Sequence, residues 1–122
     1  MKVEYEIVYY ENQQGDKKVK EYITSLSTRS DKDSRIKANK IAEYLLRLQQ
    51  FGTRIGKPTV DKIEGTDLWE LRPLRDRIFF SYWKDNTFVL LHCFVKKTAK
   101  TPSLEIAQAE RNLKDWLERY GK

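Results

Sequence analysis

The chain has one cysteine, one histidine and no long apolar run among its 122 residues. A single cysteine cannot form an internal disulfide, so nothing indicates an oxidising compartment. A transmembrane helix needs about 20 mostly apolar residues, and the lack of such a run predicts a chain that does not enter a membrane. The segment MKVEYEIVYYENQ also lacks the apolar core and cleavage site of a secretory signal. We therefore expect a cytoplasmic protein.

Familiar catalytic signatures are absent as well. There is no glycine-rich phosphate loop, no HExxH motif and no cysteine pair with zinc spacing, which predicts a site without metal or cofactor. The lone histidine, His92, lies in the apolar run LLHCF, and a buried, hydrogen-bonded role is favoured over catalysis. Cys93 is expected to be a core residue, because no base is evident beside it to stabilise a thiolate.

The composition is that of a folded domain with a basic surface. Hydrophobic residues make up 39% and aromatic residues 12% of the chain, too much apolar content for a disordered protein. We expect one domain spanning residues 1–122. The net charge of +6 favours an anionic partner such as nucleic acid, an acidic protein segment or a membrane surface, and charge alone does not rank these.

The first half of the chain predicts one strand followed by two helices. Val3–Tyr10 is rich in β-forming residues and predicts a strand, and Lys17–Leu26 predicts a short helix. A longer helix should follow Ser30 and Asp31, its candidate N-caps, and end at Gly52. Its apolar positions recur at helical spacing and are Ile41, Tyr44, Leu45 and Leu48.

The second half predicts a meander of strands and a final helix. The expected strands are Leu68–Leu71, Ile78–Trp83 and Thr87–Val95, with a short additional strand near Val60–Ile63. Asp85 and Asn86 suit the tip of a hairpin, and Thr101 is expected to cap a helix that starts at Pro102. The apolar stripe of that helix, expected to face the sheet, is Ile106, Ala109, Leu113, Trp116, Leu117 and Tyr120. This order predicts an α+β fold with a mainly antiparallel sheet, two N-terminal helices and a C-terminal helix.

The segment from residue 72 to residue 100 concentrates positive charge. Its seven basic residues face only two acids, Asp76 and Asp85; the basic residues are Arg72, Arg75, Arg77, Lys84, Lys96, Lys97 and Lys100. An arginine inside a strand is costly unless its guanidinium has a partner or reaches a groove. Two interpretations stay open, namely ion pairs with Glu70, Asp76 or Glu64, or a groove that holds a phosphodiester. The loop lysines could likewise simply face water.

Three stretches carry a family resemblance: LWELRP, RDRIFFSYW and LLHCFVKKTAKTP. Together they resemble the HigB-like, phage-derived branch of the RelE/ParE toxin superfamily, most specifically from Trp69 to Pro102. The resemblance implies a RelE-like fold and the toxin of a type II toxin-antitoxin system. It further implies cleavage of messenger RNA in the ribosomal A site, without metal, through attack of a ribose 2′-OH on the adjacent phosphate.

The resemblance also implies roles for particular residues. The expected catalytic residues are Arg72, Arg77, Lys96 and Lys97, and the expected RNA-binding residues are Lys100, Arg75, Trp83 and Lys84. The arginines would neutralise charge on the phosphoryl oxygens, and one of the two catalytic lysines would act as general base or acid. The chain departs from the RelE pattern at Leu68 and Glu70, where lysines are expected, and no tyrosine follows the basic loop.

The implied partners are a cognate helix-turn-helix antitoxin (HigA-like), the ribosome and its mRNA, with operator DNA reached only through the antitoxin complex. Two other functions stay open. The same fold could act as a protein-binding poison of the gyrase type, or be an inactive, antitoxin-binding or DNA-binding accessory. A DNA-binding accessory would use the basic residues of the long helix, which are Arg35, Lys37, Lys40 and Arg47. Trp116 and Tyr120 are either antitoxin contacts or, by their spacing, core residues.

Overall fold

A computed structural model describes residues 4–122 and contains, over that range, three α-helices and five β-strands. The strands are β1 (Glu6–Tyr9), β2 (Val60–Lys62), β3 (Trp69–Leu71), β4 (Asp76–Tyr82) and β5 (Thr87–Val95). The helices are α1 (Lys18–Thr28), α2 (Lys32–Phe51) and α3 (Ser103–Tyr120), with a short 3-10 helix at Gly52–Ile55. The predicted α+β class and element order are confirmed.

The five strands form one sheet in the order β1-β5-β4-β3-β2. The predicted meander is confirmed, since β3, β4 and β5 pair antiparallel with their sequence neighbours, while β1 pairs parallel with the first half of β5. A β-bulge interrupts the β4–β5 ladder: Phe79 is opposite His92 and Phe80 is opposite Leu90, which leaves Leu91 as the extra residue.

The sheet is covered by helices on both faces. The cluster that packs α1 and α2 on one face comprises Val19, Leu26, Ile41, Leu48, Val60, Leu71, Ile78, Phe80, Phe88 and Leu90. The cluster that packs α3 on the other comprises Leu68, Phe79, Val89, Leu91, Ala109, Leu113 and Trp116. Side chains alternate across a strand, so Phe79 and Phe80 enter different clusters and β4 is apolar on both faces. The α3 stripe faces the sheet as predicted, except that Tyr120 is 46% exposed.

Helix ends follow local chemistry in α2 but not in α3. The Asp31 carboxylate accepts a 2.9 Å hydrogen bond from the Ser34 N–H at the start of α2, and Gly52 ends that helix at a φ of 63°. A Cβ at Gly52 would lie 2.9 Å from the Tyr5 ring, so the glycine is also required for space. The prediction that Thr101 caps α3 is wrong: Pro102 occupies the N-cap position, and no side chain caps that end.

The strand boundaries differ modestly from the predictions. The predicted start of the first strand, Val3, lies outside the described residues, and β1 begins at Glu6. β4 begins at Asp76, two residues earlier than predicted. The prediction missed these residues because Asp76 and Arg77 are charged and do not show the apolar pattern of a strand. The hairpin tip is confirmed at Asp85 and Asn86, which have φ values of 52° and 56°. Within residues 4–122, every helix is too short or too polar to span a bilayer.

Candidate active site

Arg72 and Arg77 lie next to each other at one end of the sheet. The β3–β4 ladder ends with Leu71 paired to Ile78, and Arg72 and Arg77 are the residues immediately beyond that last pair. On the other side of β4, Arg77 pairs with Phe94 near the end of β5. The two predicted catalytic arginines therefore lie close together, and their charges interact, near the point where the basic loop leaves β5.

The Arg77 guanidinium is held by the backbone. Its Nη1 donates hydrogen bonds of 2.7 Å to the Leu74 carbonyl and 2.8 Å to the Asp76 carbonyl, while the buried Nε has no partner. Burial lowers the pKa of Arg77, and the nearby charge of Glu70 opposes that shift. Leu74 adopts a left-handed φ of 58°, a conformation a leucine rarely takes, and this turns its carbonyl toward the arginine.

Arg72 has acidic partners. Its Nε lies 3.5 Å from Glu70 Oε1, and its Nη1 lies 4.0 Å from Asp61 Oδ2. The ion-pair interpretation therefore holds for Arg72, with Glu70 as predicted and with Asp61, on β2, as a partner not foreseen. Arg77 differs, because no carboxylate of residues 4–122 lies within ion-pair distance of it.

The basic loop starts beside the arginines. The Lys96 N–H donates a 2.8 Å hydrogen bond to the Arg75 carbonyl, and Arg75 Nη2 donates a 3.0 Å bond back to the Lys96 carbonyl. Lys97 and Lys100 are exposed. Across the described range, the loop lysines form no ion pair with any carboxylate, so their charges are available to an anionic ligand.

A cleft of about 290 Å³ opens where these elements meet. Its lining residues are Leu74, Arg75, Arg77, Lys96 and Thr98. Three cations thus converge on a volume that suits one phosphate group and part of a nucleotide. We define Arg72, Arg75, Arg77 and Lys96 together with the loop Lys97–Lys100 as the basic cluster.

Two predicted RNA-binding residues lie outside the basic cluster. Trp83 follows β4 at the hairpin end, six residues and roughly 20 Å along an extended strand from Arg77. Its ring packs edge-on against Trp116 at 5.2 Å, its Nε1 donates to the Gly121 carbonyl, and Lys84 Nζ lies 4.5 Å from its ring centre. Trp83 and Lys84 therefore lie at the opposite end of β4 from Arg77.

His92 is hydrogen-bonded as the sequence predicted, but both His92 and Cys93 are partly rather than fully buried. The bulge at Leu91 turns His92 toward α3, where its Nε2 lies 2.8 Å from Glu105 Oε1. The ring is only half-buried, with 22% of the side chain exposed. Burial raises the pKa of the Cys93 thiol to about 12, which leaves it protonated and poorly nucleophilic at neutral pH.

A larger cavity lies elsewhere in the described part of the chain. It has a volume of about 910 Å³ and lies between the start of α1, the outer side of α3 and the part of β5 that extends beyond β1. Its walls mix both charge signs, and the Asp115 carboxylate there already accepts hydrogen bonds from Tyr10, Gln13 and Arg119. None of the eight predicted site residues lines it. The charge of the smaller cleft makes that cleft the better anion site.

Three of the four basic residues of α2 named above form ion pairs. Lys37 Nζ lies 3.4 Å from buried Asp76, Lys40 Nζ lies 3.6 Å from Glu43, and Arg47 Nη2 lies 2.9 Å from the same Glu43. Only Arg35 among the four forms no ion pair within residues 4–122. This arrangement argues against α2 as a DNA-binding surface.

The family model for "Phage derived protein Gp49-like (DUF891)" matches residues 16–114. The chain belongs to the Gp49-like family. This family is part of the RelE/ParE-like toxin superfamily, its members are often endoribonucleases, and membership implies a cognate antitoxin. No curated protein sequence matches the chain at a significant level.

The matched range includes the whole basic cluster of this Gp49-like protein. Within residues 4–122 no three His, Cys, Asp or Glu side chains are grouped so that they could hold a metal ion. Besides Leu74 and Asp61, two threonines of the site were missed from sequence. Thr98 lines the cleft, and Thr101 donates a 3.3 Å hydrogen bond to Glu70 Oε2. The available signal was Glu70 itself, because a carboxylate inside the apolar strand LWEL requires buried partners.

Proposed function

We propose that this Gp49-like toxin is an mRNA endonuclease of the HigB-like branch, cutting messages in the ribosomal A site without a metal. The observation that supports it is the cleft lined by Arg75, Arg77 and Lys96, with Arg72 close enough to Arg77 for their charges to interact. Cations from β4 and from the end of β5 that face one small volume suit a phosphodiester whose negative charge increases during cleavage.

The proposed reaction is attack of a ribose 2′-OH on the adjacent phosphorus. The bond from phosphorus to the 5′ oxygen breaks, and the products are a 2′,3′-cyclic phosphate and a free 5′-OH. Arg77 stabilises the charge on the non-bridging oxygens, since its guanidinium is already fixed by two carbonyls and needs little reorganisation. Arg72 adds a second positive charge near Arg77, and its ion pair with Glu70 weakens the effect of that charge.

The loop lysines supply the remaining proposed roles. Lys96 lines the cleft and Lys97 lies beside it, so one removes the 2′-OH proton and the other protonates the leaving oxygen. Lys100 and Arg75 bind flanking phosphates. Trp83 and Lys84 take no part, because both lie at the far end of β4.

The proposed partners are the ribosome with its mRNA and a helix-turn-helix antitoxin (HigA-like), through which operator DNA would be reached. The proposed place of action is the cytoplasm. Expression without the antitoxin should arrest growth, and mapping of mRNA 5′ ends should reveal new cuts within translated codons. Arg77→Ala and Lys97→Ala should abolish both effects. Growth arrest as strong as that of the parent protein in both variants would refute the assignment.

A second candidate function is supported by exposed apolar side chains at the cleft and next to it. Leu74, which lines the cleft, is 48% exposed, and Val95, which precedes Lys96, is 38% exposed, a small apolar patch that would suit a protein target as in a gyrase-type poison. DNA damage signalling after induction, with intact messenger RNA, would favour this function over the nuclease.

A further inference from the structure

Glu70 is a buried carboxylate that the proposed reaction does not yet use. It lies on β3 with 3% of its surface exposed, on the face of the sheet that carries Arg72. An ionised group at this depth is tolerated only when cations and hydrogen-bond donors surround it. Its two oxygens have different partners: Oε1 faces Arg72 Nε at 3.5 Å, and Oε2 accepts from the Thr101 hydroxyl at 3.3 Å.

Thr101 ends the basic loop, and its bond to Glu70 is a long-range one. The local sequence favours a cap on α3, yet the hydroxyl turns to β3 and leaves that end of α3 without a side-chain cap. The other end of the loop is held by the paired backbone and side-chain bonds between Lys96 and Arg75. Within the loop, Thr98 Oγ1 donates to the Lys100 carbonyl. The five-residue segment from 96 to 100 is thus clamped at both ends to the elements that carry the arginines.

We infer that Glu70 is a positioning residue that holds Arg72 and the basic loop in place around Arg77. This inference rests on the proposed nuclease function. One oxygen of Glu70 orients a guanidinium, and the other fixes the end of the loop that presents the lysines. Glu70 also offsets the repulsion between the neighbouring guanidinium groups of Arg72 and Arg77.

Thr101→Val tests the loop contact alone, because it removes the hydroxyl and keeps the shape and the charge. We expect kcat for mRNA cleavage on programmed ribosomes to fall on the order of a hundredfold with KM little changed, the usual cost of a displaced catalytic group. Limited trypsin digestion should cut faster after Lys96, Lys97 and Lys100. Thr101→Ser retains the hydroxyl and should restore both readouts. Thr24→Val, on the exposed side of α1, is the matched control.

Glu70→Gln tests the charge, because the amide oxygen can still accept from Thr101. Arg72 then loses the nearer of its two carboxylate partners and keeps only Asp61 at 4.0 Å, so RNA should bind more tightly and with a salt slope steeper by about 0.7 per added phosphate contact. The kcat should fall, because the guanidinium is no longer oriented. Glu64→Gln changes net charge equally at an exposed loop position and should alter neither property.

The outcomes separate this inference from the nuclease proposal. If trypsin cuts the loop faster in Thr101→Val while the melting temperature is unchanged, the bond from Thr101 to Glu70 holds the loop in place. This result does not depend on whether the wild-type protein cleaves RNA. Wild-type protein that cleaves no message refutes the nuclease proposal alone. The role assigned to Glu70 would be overturned by two results together. Thr101→Val would show wild-type rates of tryptic cutting and a wild-type kcat, and Glu70→Gln would bind RNA as the wild-type protein does.

Discussion

The Tyr22 hydroxyl donates a 2.5 Å hydrogen bond to the Asp76 carboxylate, which joins α1 to the first residue of the arginine-bearing strand. Asp76 is 1% exposed, and its second partner is Lys37 of α2, with 3.4 Å between Nζ and the same oxygen. Burial raises the pKa of Tyr22, and the bond to Asp76 raises it further, so the phenol keeps its proton and remains the donor. The helical pair is therefore linked directly to the strand on which Arg77 lies.

Asp76→Ala should destabilise the fold by about 2 to 4 kcal/mol, because it removes a buried ion pair and leaves Lys37 and Tyr22 without their acceptor. Tyr22→Phe removes one hydrogen bond and should cost about 1 to 2 kcal/mol. Urea denaturation measures both values, with Glu110→Ala on the exposed face of α3 as the control. If Asp76→Ala lowers the free energy of unfolding no more than the control does, the contacts of Asp76 with Tyr22 and Lys37 contribute nothing to stability.

The fold should lose stability in acid through Asp115. Its pKa is lowered from the ordinary value of 3.8, first by the hydrogen bond from Tyr10 and then by those from Gln13 and Arg119. A carboxyl whose folded pKa is depressed contributes stability above its unfolded pKa and loses it as pH falls through the folded value. The free energy of unfolding should therefore decrease below about pH 3.8, and Asp115→Asn should flatten this decrease. An identical pH profile in the variant would contradict the assignment.

Cys93 should resist alkylation while the protein is folded. With its pKa raised to about 12, the thiolate fraction at pH 8 is very small, and iodoacetamide reacts only with the thiolate. Labelling followed by mass spectrometry should be slow in buffer and fast in denaturant. Fast labelling of the native protein would indicate an activated thiol and would reopen a nucleophilic role.

RNA binding should distinguish the two ends of β4. Lys97→Ala removes an exposed, unpaired loop charge and should reduce the salt slope of single-stranded RNA binding by about 0.7. Lys84→Ala removes an equal charge at the hairpin end, where the ammonium lies over the Trp83 ring, and should leave the slope unchanged. Filter binding over a range of salt concentrations compares them. Equal reductions would place the RNA along the whole strand.

Much of the architecture could be predicted because local signals and tertiary structure agree. Asp31 caps α2 as its side-chain chemistry predicts, and Gly52 ends it where a left-handed residue is needed. Asp85 and Asn86 form the hairpin tip for the same reason. At Thr101 the local signal and the tertiary structure disagree. A capping preference worth about 1 kcal/mol favours a bond to the start of α3, but the hydroxyl instead donates to the buried Glu70 carboxylate, which needs a donor.

The amino-acid sequence by itself determined the element order, the α+β class and the concentration of positive charge between residues 72 and 100, since these depend on periodicity and composition. Only the tertiary structure decided which charges converge. The fold brings Arg75, Arg77 and Lys96 to one cleft and packs Trp83 against Trp116 of α3 at the other end of β4. Arg72 pairs with Glu70, whereas the loop lysines have no carboxylate partner among residues 4–122. Register and long-range ion pairs join segments far apart in the chain, so no local pattern encodes them.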